Sequence, residues 1–272
     1  MRKALRRVTS PPDAENMQKK KLRFGWLLPA FVAIAAAWPS ASSAQSGALD
    51  SEAVNLLRQS TAYVAGLKQF RVDTEAALEI VTTDGEKLQY DEHVVITVQR
   101  PNKLRADRMG EIVNQVAYYD GKSLSMNLPD DGYYATAAAP PTLESALDFA
   151  RDQLGIVAPA ADLVYTNSFE RLSDGLTSAK VIGEAVVAGV ACDHLAFRNP
   201  EVDWQIWIEQ GDKPLPRKLV ITSKKMPQSP EFIVVIKKWD TSPRLKDAMF
   251  SFTPTKGSQQ IEFLPTPAAA KK

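Results

Sequence analysis

Two histidines and one cysteine are the residues best suited to metal or nucleophilic chemistry, and their spacing is poor for both. Cys192 and His194 stand two apart in Ala191-Cys192-Asp193-His194, so on a strand they share a face. Cys-x-His supplies two metal ligands where a closed zinc site needs about four. No second Cys or His cluster completes it, and His93 falls on the opposite parity from its apolar neighbours. A lone cysteine cannot form an intramolecular disulfide, and beside Leu195 and Phe197 it reads as a small buried hydrophobe. There is no Gly-x-Ser-x-Gly elbow and no glycine-rich phosphate loop. Asp73, Glu75 and Glu79 fit a solvated strand face better than a glycosidase dyad. The residues thus name no catalytic set, no metal and no cofactor.

Three residues break their local pattern. Glu92 lies on the apolar parity of its strand, where an unpaired carboxylate is costly. Either a bulge or strand end lets it reach water or a basic partner, or it is a polar group inside a ligand cavity. Trp204 and Trp207 have opposite parity, so one belongs to the core. The other, Trp207, is either packed under a loop or a partner surface. Arg100 precedes Pro101 at a strand end, where a surface arginine would blunt the edge.

The elements that position these residues are mostly strands. Phe70, Val72, Thr74, Ala76, Leu78 and Ile80 alternate with Arg71, Asp73, Glu75, Ala77 and Glu79, a long strand with one wet face. After Thr83-Asp84-Gly85, Leu88, Tyr90, Val94, Ile96 and Val98 share the even parity. If even positions face inward on both strands, paired numbers must sum to an even value. A three-residue loop with Gly85 in the left-handed position predicts Ile80 opposite Leu88, Leu78 opposite Tyr90, and Ala76 opposite Glu92. Short strands are expected over 103–108, 111–119, 123–127 and 133–136, and again over 177–187, 190–198, 202–210, 216–225 and 231–239. Amphipathic helices are expected over 49–67, capped by Asp50 or Ser51, and from Thr142 through Leu154; 160–165 adds a helical turn. Sheet faces that are dry need a cover, and these helices are the only candidates. The predicted fold is mainly β (α+β): a strongly curved antiparallel sheet, an unclosed half-barrel covered by helices. Val72, Leu78, Ile80, Tyr90, Glu92, Val94 and Ile96 would line its cavity.

The N-terminal stretch carries a targeting pattern. Lys19-Lys20-Lys21-Leu22-Arg23 is a basic region, Gly25–Trp38 is uncharged, and Ser42 and Ala44 suit cleavage before Gln45. Residues 1–44 are therefore expected to be a secretory signal, with Met17 as the true start, leaving no transmembrane anchor after cleavage. The apolar run is short against the roughly 20 residues of a membrane span. One domain is expected over 45–264, with 265–272 a disordered tail. From Gln45 onward 25 basic and 30 acidic residues remain, a net −5 that makes nucleic acid a poor partner.

Several motifs resemble known families. Arg100-Pro101-Asn102-Lys103-Leu104-Arg105, Tyr119-Asp120-Gly121-Lys122-Ser123-Leu124 and Phe250-Ser251-Phe252-Thr253-Pro254 resemble junctions of the periplasmic lipoprotein-carrier superfamily (LolA/LolB-like). Cys192–Phe197, Val202–Ile208 and Leu215–Leu219 resemble the family of predicted periplasmic proteins called domain of unknown function 2092, over about Ala48 to Phe263. This resemblance implies a periplasmic half-barrel with helices as a lid over an apolar cavity. It implies a role for Arg100 in coupling lid closure to cargo release. The implied function is a non-catalytic carrier or sensor of an apolar ligand, such as a lipid or lipoprotein acyl chain. The alternative is a protein-interaction module for an envelope protein, in stress signalling or assembly, with a cavity filled by side chains.

Overall fold

The computed structural model describes residues 49–263. The expected signal segment, its cleavage site, the start at Met17 and the tail at 265–272 lie outside them.

Helix α1 spans Ser51–Gly66, and the Asp50 carboxylate caps it by accepting the Glu52 N–H at 2.9 Å. Strands β1 (Gln69–Val81) and β2 (Lys87–Gln99) form the long hairpin. Their register is the predicted one: Ile80 faces Leu88, Leu78 faces Tyr90, Ala76 faces Glu92, and Thr74 faces Val94. Gly85 takes φ +88°, which lets the turn close without burying the charged face. β3 (Lys103–Gly110), β4 (Asn114–Tyr119), β5 (Ser123–Leu128) and β6 (Tyr133–Ala138) continue the meander. Helix α2 (Leu143–Asp152) is capped by Thr142, then comes a 3₁₀ turn at Ala161–Val164 and a short α3 (Ser168–Ser173) that the sequence reading missed. β7 (Ser178–Val187), β8 (Val190–Arg198), β9 (Val202–Glu209), β10 (Pro216–Ser223) and β11 (Glu231–Asp240) form the second meander.

Together with β12 (Gln259–Gln260), the strands of the described residues join one curved, unclosed twelve-stranded sheet in the order β12-β6-β5-β4-β3-β2-β1-β11-β10-β9-β8-β7. Antiparallel pairing of β1 with β11, which no local pattern announces, fuses the two meanders. The last strand, β12, runs parallel to β6. The segment before it crosses the outer face, where Phe252 packs on Tyr118 and Tyr134, and Lys103 pairs with Asp247 at 2.6 Å. The Phe-x-Phe motif is thus a strap on the outside of the sheet.

The helices pack on the inner face in two clusters. The first half of α1 sets Ala53 and Leu57 against Leu195, Ile206 and Leu219, all buried. Its last turn and α2 set Val64, Leu143 and Ala146 against Phe70, Val98 and Ile236. Burying such side chains contributes roughly 25 cal/mol per Å² of apolar area.

A cavity under the helical lid

The β1–β5 half of the sheet is not filled by its helices. A cavity of about 300 Å³ lies between the sheet and α2 with the connection that follows it. Its floor comes from alternate residues of successive strands, because side chains on a strand repeat every second residue. Val72, Val94, Ile96, Met126, Val234 and Ile236 make this floor apolar. The roof is Val64 of α1, Leu147 and Ala150 of α2, and residues 156–165. Within that connection Val157 is 79% exposed although it also borders the cavity.

Of the seven residues expected to line a cavity, Val72, Glu92, Val94 and Ile96 do so. Leu78, Ile80 and Tyr90 do not, and this corrects the sequence reading. The hairpin runs on past its helical cover: burial on the inner face of β1 fades from Ala76 through Leu78 to Ile80, which is 37% exposed. Parity gave their side of the sheet and nothing local gave the extent of the cover.

Glu92 sits in regular pairing, with no bulge on β2. Its carboxylate accepts a hydrogen bond from Arg108 Nε at 2.5 Å, and its side chain is only 9% exposed against 26% for Arg108. The pair crosses diagonally, since Glu92 faces Gly110 and Arg108 faces Val94. Both side chains line the cavity, as does Gln115, which pairs with Arg108 across β3 and β4. Arg108, Gly110 and Gln115 were missed. The available signal was Arg108 sharing even parity with Leu104 and Ala106, a charge on the face that β2 marks as inward.

Arg100 is not a surface group at a strand end. With its side chain 11% exposed, it donates from Nε to the Leu67 carbonyl at 3.2 Å and from Nη2 to the Val164 carbonyl at 2.6 Å. Nη1 lies 3.5 Å from Glu144 of α2. One side chain thus ties the end of α1, the start of α2 and the 3₁₀ turn. Burial pulls its guanidinium below the ordinary value, and Glu144 opposes that shift. Beside it, the buried Tyr119 hydroxyl donates to the Pro140 carbonyl at 2.5 Å, and burial pushes the phenol up to about 12. Farther along the lid, Asp148 accepts from the Tyr165 hydroxyl at 3.0 Å and from Arg151 at 2.9 Å. Arg171 pairs with Asp162 at 2.7 Å and stacks over Tyr165. Burial first, and the hydrogen bond to Asp148 second, push the Tyr165 phenol to about 12.

Trp207 lies on the outer face, half-buried, away from the cavity. Its indole stacks on His194 with ring centroids 4.0 Å apart, and Lys218 stands 4.6 Å from its centroid. These three residues align across β8, β9 and β10, so the indole is flanked by its strand neighbours. Trp204 is the core tryptophan, stacked on Phe197. Cys192 is fully buried, its thiol raised by burial, and its Sγ–H points to the Val190 carbonyl. Among the described residues no three His, Cys, Asp or Glu side chains converge as a metal site, and no helix is long and apolar enough to cross a membrane.

A curved, unclosed sheet with helices across one face and an apolar cavity beneath them is a half-barrel with a helical lid. The chain belongs to the family described as Predicted periplasmic protein (DUF2092), whose sequence profile matches residues 53–264, and this makes it a periplasmic protein. No curated protein matches it in sequence. Among solved structures it is similar to an uncharacterised conserved protein of Thermus thermophilus, at 9% identity and a TM-score of 0.46 over 78% of this chain and 99% of that one. LprF of Mycobacterium bovis aligns at 12% identity and 0.45, over 78% of this chain and 100% of the other. A LolA superfamily protein of Nitrosomonas europaea aligns at 10% and 0.34, over 74% and 97%.

Proposed function

We propose that the protein is a non-catalytic periplasmic binding protein, a carrier or sensor that shelters one apolar chain of a lipid or lipoprotein beneath its helical lid. The observation that carries this reading is the cavity of about 300 Å³ between apolar floor and roof. That is the lower end of the range for ligand pockets, the size for a single chain. It also speaks against the alternative of an envelope interaction module whose interior is filled by its own side chains. In this reading residues 1–44 direct export and the mature chain forms one domain. Arg100 couples the cavity to the lid, because its three contacts hold the two helices and the 3₁₀ turn together.

Native mass spectrometry of gently purified protein, followed by titration with a fluorescent fatty acid, tests the reading. One ligand per chain, displaced by the probe, is the expected result. A protein that arrives ligand-free and takes up no probe overturns it. Arg100→Gln is expected to speed hydrogen exchange across residues 154–165 and to hasten ligand release. Unchanged exchange and release would remove Arg100 from the coupling.

A further inference from the structure

The cavity has a polar end whose chemistry specifies the head of its guest. Four charged side chains border the space: Glu92 and Arg108 on the sheet, Arg151 and Asp162 on the lid. The lid pair is engaged elsewhere, Arg151 by Asp148 and Asp152, Asp162 by Arg171. Glu92 and Arg108 bind each other through one carboxylate oxygen and Nε alone. Among the described residues Glu92 Oε1 and both Nη groups of Arg108 make no other hydrogen bond. The pair therefore turns one charged acceptor and several charged donors toward the guest, with the Gln115 amide beside them.

The surroundings keep that end open. Glu92 stands between Ala76 and Gly110, its register partners on the two neighbouring strands. A Cβ at position 110 would come within 2.8 Å of Glu92 Cβ and of the Asp91 carbonyl oxygen, so glycine is what lets the carboxylate stand where it does.

Charge then decides between heads. Glu92 and Arg108 are neutral as a unit. A monoanionic head would satisfy Arg108 and leave one uncompensated charge in an apolar space, which is costly. A head carrying both an anion and a hydrogen-bonding cation satisfies both partners and adds no net charge. Resting on the binding function proposed above, we infer that the Glu92–Arg108 end of the cavity receives the zwitterionic head of a single-chain amphiphile, with phosphate on Arg108 and primary ammonium on Glu92.

The test is a set of equal-chain probes against the whole mature protein by calorimetry: lysophosphatidylethanolamine, lysophosphatidylglycerol, the free fatty acid and the monoacylglycerol. The ethanolamine compound is expected to bind about tenfold more tightly than the glycerol phosphate, the scale of one charge-assisted hydrogen bond. Glu92→Gln leaves Arg108 uncompensated, so the order of these two is expected to reverse. The double variant Glu92→Gln/Arg108→Met is expected to lose the discrimination, so that the ethanolamine and glycerol phospholipids bind it equally. Equal affinity of the wild-type protein for all four heads overturns the head assignment while the chain-binding function stands. Binding of none overturns both. The wild-type ranking decides the matter even if a variant fails to fold.

Discussion

Beneath the first half of α1, strands β8–β10 bring Leu195, Ile206 and Leu219 against Ala53 and Leu57, all of them buried. Beneath α2 and the connection after it, strands β1–β5 of the same sheet leave about 300 Å³ and an ion pair. Both halves have the same alternation of apolar and polar residues. They differ in the cover: one long helix with small and medium side chains laid flat on the sheet, against a short helix and a looping connection held by Arg100 and by charged pairs. A sheet face therefore becomes core or cavity according to what lies over it.

Truncation in the packed half should cost most. Leu57→Ala is expected to lower unfolding free energy by about 2–5 kcal/mol in denaturant melts, because the site is closed on all sides. In the cavity half Met126→Ala should cost less, about 1–2 kcal/mol, since one side of Met126 already lacks packing partners. Equal losses would erase the contrast between the halves. Filling the cavity with Ala106→Leu should change stability by no more than about 1 kcal/mol while abolishing uptake of a fluorescent fatty acid.

Alkali separates the halves in another way. Tyr119 and Tyr165, both at the cavity half, have phenols raised from 10.0 to about 12. A folded-state value above the unfolded one favours the protonated form, so this stabilisation is complete below about pH 10. It is lost as pH rises through about 12. Phenolate absorbance followed alongside hydrogen exchange should show the lid loosening in that window before β8–β10 do. Early ionisation of both tyrosines with an intact lid would refute the assignment. The smallest effect belongs to the outer face: Trp207→Ala should cost about 1 kcal/mol or less, as it removes one exposed-side stack and one cation–π contact. A larger loss of an envelope partner in pull-down would restore that face as a binding surface.

Much of the fold is legible in the chain because strand alternation and turn chemistry are local. Even parity on both sides of Thr83-Asp84-Gly85 determines the β1–β2 register to the residue, and Asp50 and Thr142 mark where the helices begin. Parity likewise separates Trp204 from Trp207 and singles out Glu92. The partner of Glu92 lay on the next strand, at a position where β2–β3 register had to be known before Arg108 could be seen to face inward.

What the sequence alone determined is therefore which residues alternate, where turns fall and which side each residue takes, since backbone geometry acts over a few neighbours. The joining of β1 to β11, the point where helical cover stops short of Leu78, Ile80 and Tyr90, and the union of Arg100 with three separate lid segments were decided only in the folded chain. They depend on contacts between segments far apart in sequence, chosen by how apolar area and buried charge can be accommodated together.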